Sequence, residues 1–199
     1  VGASPRTRHR AAILATALGA VAFLTPALSL ISPRAVTVQS VEAAELLGAL
    51  RAAPNTATAA VIAGALWRQS WAETASPTTA LLMSRASEAT DAGDEDRALA
   101  LLDAIISIDP GYAEAYNRRA TLRYARGLAR AALEDLEACV RLNPSHFGAW
   151  TSLGAVFEDL GAERAALKAY EQALSLYPTM PEAREAHRRL DLRVNGRAA

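Results

Sequence analysis

The stretch Trp150–Pro178, WTSLGAVFEDLGAERAALKAYEQALSLYP, holds the decisive pattern of this 199-residue chain. Trp150, Leu153, Gly154 and Phe157 recur at i, i+3, i+4 and i+7, which is one face of an α-helix. Gly161 follows at a turn, where a positive φ is needed and glycine adopts it without steric cost. A second helix carries Ala166, Leu167, Tyr170, Ala173, Leu174 and Leu176. Pro178 ends it, because proline has no N–H and clashes with the preceding turn. The stretch therefore reads as two amphipathic helices joined by a tight turn.

The same pattern returns upstream with a fixed period. Pro110, Pro144 and Pro178 are spaced by 34 residues, as are Gly93, Gly127 and Gly161. Ala98, Ala132 and Ala166 share that spacing, and so do Ala86, Ala120 and Gly154, then Leu102, Leu136 and Tyr170. The glycine and proline series are independent of the alanine content, so the period is not a by-product of an alanine-rich chain. The small residues at the eighth and twentieth places let the paired helices approach closely.

This arrangement resembles the tetratricopeptide repeat family, over about half of the chain. With the proline counted as position 32, the units are 79–112, 113–146 and 147–180. The third unit carries nearly the whole family signature. The second keeps Tyr116, Ala120, Gly127, Ala132, Leu136 and Pro144, and the first keeps Leu82, Ala86, Gly93, Ala98, Leu102, Ile105 and Pro110. Departures are Arg85 and Arg119 at position 7, and Arg123 at position 11, where a large apolar residue is usual. Arg123 is expected to lay its methylenes over the helix seam with its head group in water.

The resemblance implies an all-α fold, a right-handed α-solenoid of helix-turn-helix repeats. It also implies a concave face lined by the first helix of each unit, free to receive a short peptide or a helix of another protein. Family ligand positions map onto Met83, Ser87 and Asp91, onto Asn117, Thr121 and Tyr124, and onto Thr151, Glu158 and Asp159. Members that capture a chaperone's C-terminal carboxylate use Lys, Asn and Arg at places held here by Met83, Ser87, Arg118 and Ser152. Only Arg118 is of a suitable type, so that ligand is disfavoured.

Stacked repeats need covered ends. Residues 181–199 start with Pro181 at a first helical position and place Ala183, Ala186, Leu190 and Val194 on one stripe, as a C-terminal capping helix would. Residues 41–78 read as a helix over Val41–Ala53, a break at Pro54-Asn55 and a helix over Thr56–Glu73. They form either an N-terminal helical cap or a degenerate repeat. Trp67 and Trp71, four apart, read as helix-packing residues, and Thr74 to Pro77 as the turn into the first unit.

The first forty residues differ from the rest. Arg6, Arg8, His9 and Arg10 precede an uncharged apolar run from Ala11 to Ile31. That is the order of a secretory signal peptide, with a small-residue cleavage site at Ala27-Leu28-Ser29. It also fits an N-terminal membrane anchor, since 21 residues suffice to span a bilayer. Either reading sends the body across the inner membrane, as a periplasmic or an anchored protein. Membrane contact is then confined to residues 11–31, if they are retained.

Composition narrows the chemistry. Alanine occupies 47 positions, and β-branched and aromatic residues are scarce, which disfavours sheets. Residues 1–40 carry four arginines and no acid, so the neutral chain has a body of net charge −4. Such a body is a poor match for nucleic acid, which calls for a basic surface. Cys139 is the single cysteine, and His9, His146 and His187 lie far apart along the chain. Cys139 reads as a small core residue. Asp91, Asp94, Glu95 and Asp96 lack the spacing of a calcium loop and read as a solvated turn. Arg118, Arg119, Arg123, Arg126 and Arg130 read as ion-pair partners of the acids on the helix that follows, Glu134, Asp135 and Glu137. No catalytic, cofactor-binding or metal-ligating constellation is found. The reading is a non-enzymatic interaction module at the cell envelope, or alternatively a structural element that self-associates through residues 41–76.

Overall fold

A computed structural model describes residues 38–68 and 75–196. The leader, Trp71 and the last three residues lie outside them, and with them the signal-or-anchor expectation. Among the described residues the chain is entirely helical. The elements are α1 (Val38–Arg51), α2 (Thr56–Leu66), α3 (Pro77–Asp91), α4 (Glu95–Ile108), α5 (Ala113–Ala125), α6 (Ala129–Leu142), α7 (Phe147–Asp159), α8 (Glu163–Leu176) and α9 (Pro181–Asn195). None of these helices is long and apolar enough to cross a membrane.

The three units are the hairpins α3–α4, α5–α6 and α7–α8. Each turn is built in the same way. Gly93, Gly127 and Gly161 sit at φ of 74°, 75° and 73°. After each, the next residue's N–H bonds back to the carbonyl five residues earlier: Asp94 to Ala89, Leu128 to Arg123, Ala162 to Phe157. This is the left-handed helix stop for which glycine is the residue of choice. Asp94 then caps α4 by accepting from the Arg97 N–H at 3.1 Å, and Ser76 caps α3 from Thr79.

The buried faces follow the periodic positions. Ala98, Leu102 and Ile105 are buried in the first unit, Ala132, Leu136 and Cys139 in the second, and Ala166, Tyr170 and Ala173 in the third. Neighbouring units share repeated bonds. The position-4 aromatic of each later unit donates to the proline carbonyl of the unit before it: Tyr116 Oη to Pro110 at 3.2 Å, and Trp150 Nε1 to Pro144 at 2.9 Å.

Arg118, Arg119, Arg123 and Arg126 make ion pairs within and between units, and of the three acids expected as partners on α6 they reach Asp135. Arg119 binds Asp135 with two nitrogens at 2.9 and 2.6 Å and reaches Asp103 of the first unit at 2.6 Å. Arg126 joins Glu95 and Asp96 at the first unit's turn, at 2.7 and 2.8 Å. Arg123 departs from expectation. Its head group donates to the buried Asp135 at 2.9 Å, on the Oδ2 that also accepts from Arg119, because that carboxylate lies at the seam and each oxygen has two lone pairs to satisfy.

The ends differ from one another. Helix α9 covers α8 through Ala183 and Leu190, in one cluster with Ala166, Leu167, Tyr170 and Ala173. The α1–α2 hairpin does not stack ahead of the first unit. Its core of Leu50, Ala59, Ala63 and Leu66 closes on Tyr177, Phe147 and Met180 of the third unit, and no residue of α3 or α4 belongs to that cluster. The leading face explains why. The positions that bury Ala149, Leu153 and Val156 against the second unit are occupied in the first unit by exposed Leu81, Arg85 and Glu88. Arg85 and Glu88 give that face a charged cover beside the exposed Leu81.

Candidate peptide-binding face

A cleft of about 260 Å³ opens between α3 and α5, lined by Ala86 and Thr90 on one side and Asn117, Arg118, Thr121 and Leu122 on the other. The one-residue offset between Asn117 and Arg118, and the four residues to Thr121 and Leu122, put these side chains on one face of α5. Two of the residues expected on the concave face, Asn117 and Thr121, therefore line an open cleft. Ser87 is tied to it, accepting from Arg118 Nη1 at 3.2 Å. Met83 is half-buried and packs on the α3–α4 core, and Asp91 is exposed at the end of α3.

The other expected contacts are engaged elsewhere. Tyr124 Oη donates to Asp159 Oδ2 at 2.6 Å. That bond, aided by burial, pushes the phenol up to about 12. The pair links α5 to α7 instead of presenting a free aromatic tip. The Thr151 hydroxyl donates to the Phe147 carbonyl at 3.0 Å, with Met180 Sδ at 3.4 Å. Glu158 faces the C-terminal cap. It accepts from Tyr170 Oη at 2.9 Å, from Arg189 at 2.8 and 2.9 Å, and from Arg193 at 3.0 Å.

Beneath the cleft lies a buried polar network that sequence reasoning missed. Glu114 and His146 are 4% and 3% exposed. His146 Nε2 stands 3.0 Å from Glu114 Oε2, while His146 Nδ1 accepts from the Ala149 N–H at 3.0 Å and so caps α7. With Nδ1 accepting, Nε2 carries the proton given to Glu114. Glu114 also accepts from Arg118 Nε at 2.9 Å. Burial alone would raise its pKa, but the hydrogen bonds from His146 and Arg118, together with the Arg118 charge, outweigh that and hold the carboxyl below its usual value. Position 34 of a unit returns beside its own position 2, and that was the signal available. Cys139 is fully buried nearby, and burial with the Glu114 charge pushes its thiol up to about 12. It stays protonated and unreactive.

The inner face is not wholly open. Trp67, just beyond α2, places its ring 5.6 Å from the Arg118 guanidinium carbon at the cleft margin. The hairpin covers the rim at Phe147, Tyr177 and Met180. The sequence led us to expect this curve free along its length. The first two units keep their cleft, and the third-unit rim is occupied by the chain's own helices.

A family model described as tetratricopeptide repeat matches residues 113–146 and 147–180, the second and third units. A TPR repeat-containing protein of Rhizobium etli is 40% identical over 70 residues, which is 35% of this chain and 34% of that protein. The chain thus spans about a third of the length of the curated relative it matches. Among solved structures, the first TPR of Spaghetti (RPAP3) bound to an HSP90 peptide is 24% identical, with a TM-score of 0.58 over 61% of this chain and 96% of that one. The Sgt2 TPR domain from Aspergillus fumigatus gives 22% and 0.56, over 60% and 81%. MamA gives 20% and 0.55, over 79% of each chain. At these identities the structural likeness is one of fold.

Proposed function

We propose that this chain, with second and third units that match tetratricopeptide repeats, is a non-enzymatic binding module that docks a peptide or helix of another protein. The observation that carries the reading is the open cleft between α3 and α5, floored by the Arg118–Glu114–His146 network. Asn117 offers both a donor and an acceptor to a bound backbone, and the Thr121 and Thr90 hydroxyls are adaptable partners. The floor is held in place because both carboxylate oxygens of the buried Glu114 are paired. The peptide-bound structure with this fold supports the reading.

The same proposal places the module at the cell envelope, on the strength of the arginine-then-apolar order of residues 6–31. Trp67 and the hairpin residues Leu50, Ala59, Ala63 and Leu66 are packed within the chain, so the self-association alternative falls to the exposed Val41 and Val61.

The test is capture from envelope extract with wild-type bait and an Asn117→Ala/Thr121→Ala bait. Proteins recovered only by the wild type are the expected outcome, and equal recovery by both discards the cleft. Intact-mass measurement of the exported protein separates cleavage after Ser29 from a retained anchor. A protein that never leaves the cytoplasm discards the envelope assignment.

A further inference from the structure

The α1–α2 hairpin is attached to the repeats in a way that a core element is not. Every member of its apolar cluster comes from the hairpin itself, apart from Phe147, Tyr177 and Met180. The cores of the first and second units contain none of its residues. Among the described residues it is also fastened by the Trp67 stack on Arg118, a contact type worth about 0.5–2 kcal/mol. The hairpin is therefore removable without opening the cores of those two units.

The surface beneath it is distinctive. Phe147 and Tyr177 meet edge to face, with centroids 5.4 Å apart and planes at 82°, and Met180 lies alongside. This shelf is aromatic and thioether in character, and a methionine adapts to varied apolar shapes. What covers it is the α1–α2 hairpin, which brings Leu50 of α1 and, from the uncharged α2 (TATAAVIAGAL), Ala59, Ala63 and Leu66 at i, i+4 and i+7 into one cluster with the shelf. Small residues at two successive turns let a helix lie close, and leucine fills the pocket that remains.

We propose that the Phe147–Tyr177–Met180 shelf is a second docking surface, which receives an uncharged helix with small residues at i and i+4 and leucine at i+7. In this structure the chain's own hairpin holds it in cis. The inference rests on the reading of the inner face as a docking surface. A partner reaching from the cleft to the third unit must displace the hairpin, so its apparent affinity is reduced by the fraction of molecules with the shelf open.

The test uses the full chain carrying Leu50→Asp, which places a carboxylate in the hairpin core. The probe is a fluorescent synthetic peptide of residues 38–68, read by anisotropy, with far-UV circular dichroism reporting the fold. Saturable binding to Leu50→Asp, about ten-fold or more tighter than to wild type, is expected. Adding Tyr177→Ala should abolish it, whereas adding Asn117→Ala should change it by less than about two-fold. Folded Leu50→Asp that ignores the peptide, or binding equal to wild type, overturns the proposal. Should Leu50→Asp fail to fold, Trp67→Ala carries the same test, with a smaller gain expected. A wild-type dimer in light scattering that the peptide dissociates would make a second copy the occupant, and would also overturn it. Failure of the shelf leaves cleft capture intact, and failure of the Asn117→Ala/Thr121→Ala comparison leaves peptide binding to the shelf intact, so the two readings fall separately.

Discussion

Gly154 and Tyr170 show how one residue sets the fit of a helix pair. A Cβ built on Gly154 would lie 2.5 Å from Tyr170 Cε1 and 2.6 Å from Cζ. The ring cannot swing away cheaply, because its hydroxyl is bonded to Glu158. The other units place Ala86 with Leu102 and Ala120 with Leu136 at the same two positions, so the larger partner goes with the smaller residue. Gly154→Ala gains about 1 kcal/mol of helix propensity and loses about 1–3 kcal/mol to overpacking, so a lower Tm is expected. Gly154→Ala/Tyr170→Leu restores the pairing of the other units, and its Tm should exceed that of the single variant. Additive losses in the double variant would refute the steric account. Glu114 gives a second test at this scale. Its folded pKa is depressed, so the stability it contributes is present above the unfolded value of about 4.3 and is lost as pH falls through the folded one. Urea midpoints from neutral to acid pH should fall less steeply for Glu114→Gln than for wild type. Parallel curves would show that the network adds no pH dependence.

At the scale of elements, the caps differ in how they are held. Helix α9 buries Ala183 and Leu190 and is pinned by Arg189 and Arg193 on Glu158. Both arginines are about half exposed, so each bridge is worth well under about 1 kcal/mol once solvent screening is allowed for. Glu158→Gln, which keeps an acceptor for the buried Tyr170 hydroxyl but removes the charge, should leave Tm nearly unchanged and yet raise the rate of trypsin cleavage after Arg189 and Arg193, because the local opening of α9 becomes easier. Unaltered cleavage would assign the holding of α9 to its apolar stripe alone. The stripe and the proline-led start of α9 were both legible in the sequence. The role of Glu158 was not, since its partners lie 31 and 35 residues away and outside the repeat register.

For the whole molecule, Asp135 is the joint that couples units. It is 3% exposed, binds Arg119 and Arg123 of its own unit, and holds Arg119 where that residue also reaches Asp103 of the first unit. Asp135→Ala takes the shared acceptor from two partly buried guanidiniums and leaves Arg119 only the exposed Asp103, a class of change costing up to about 3–5 kcal/mol. Stability in a repeat array is carried by unit and interface terms, so a broader thermal transition is expected along with the lower Tm. A sharp, unshifted melt would show that the units are coupled through apolar packing alone.

The three hairpins, their turns and the C-terminal cap were determined by the sequence alone, because a 34-residue period with glycine at each stop and proline at each exit makes those demands locally. The family resemblance put Asn117 and Thr121 on the inner helix of their unit, and both line the α3–α5 cleft. Only the tertiary structure decided where α1–α2 docks, that Glu114 meets His146, and that Tyr124 and Glu158 are already engaged. An uncharged, alanine-rich helix has apolar residues all round and no stripe to point at a partner, so the site it covers depends on which surface the folded repeats leave apolar.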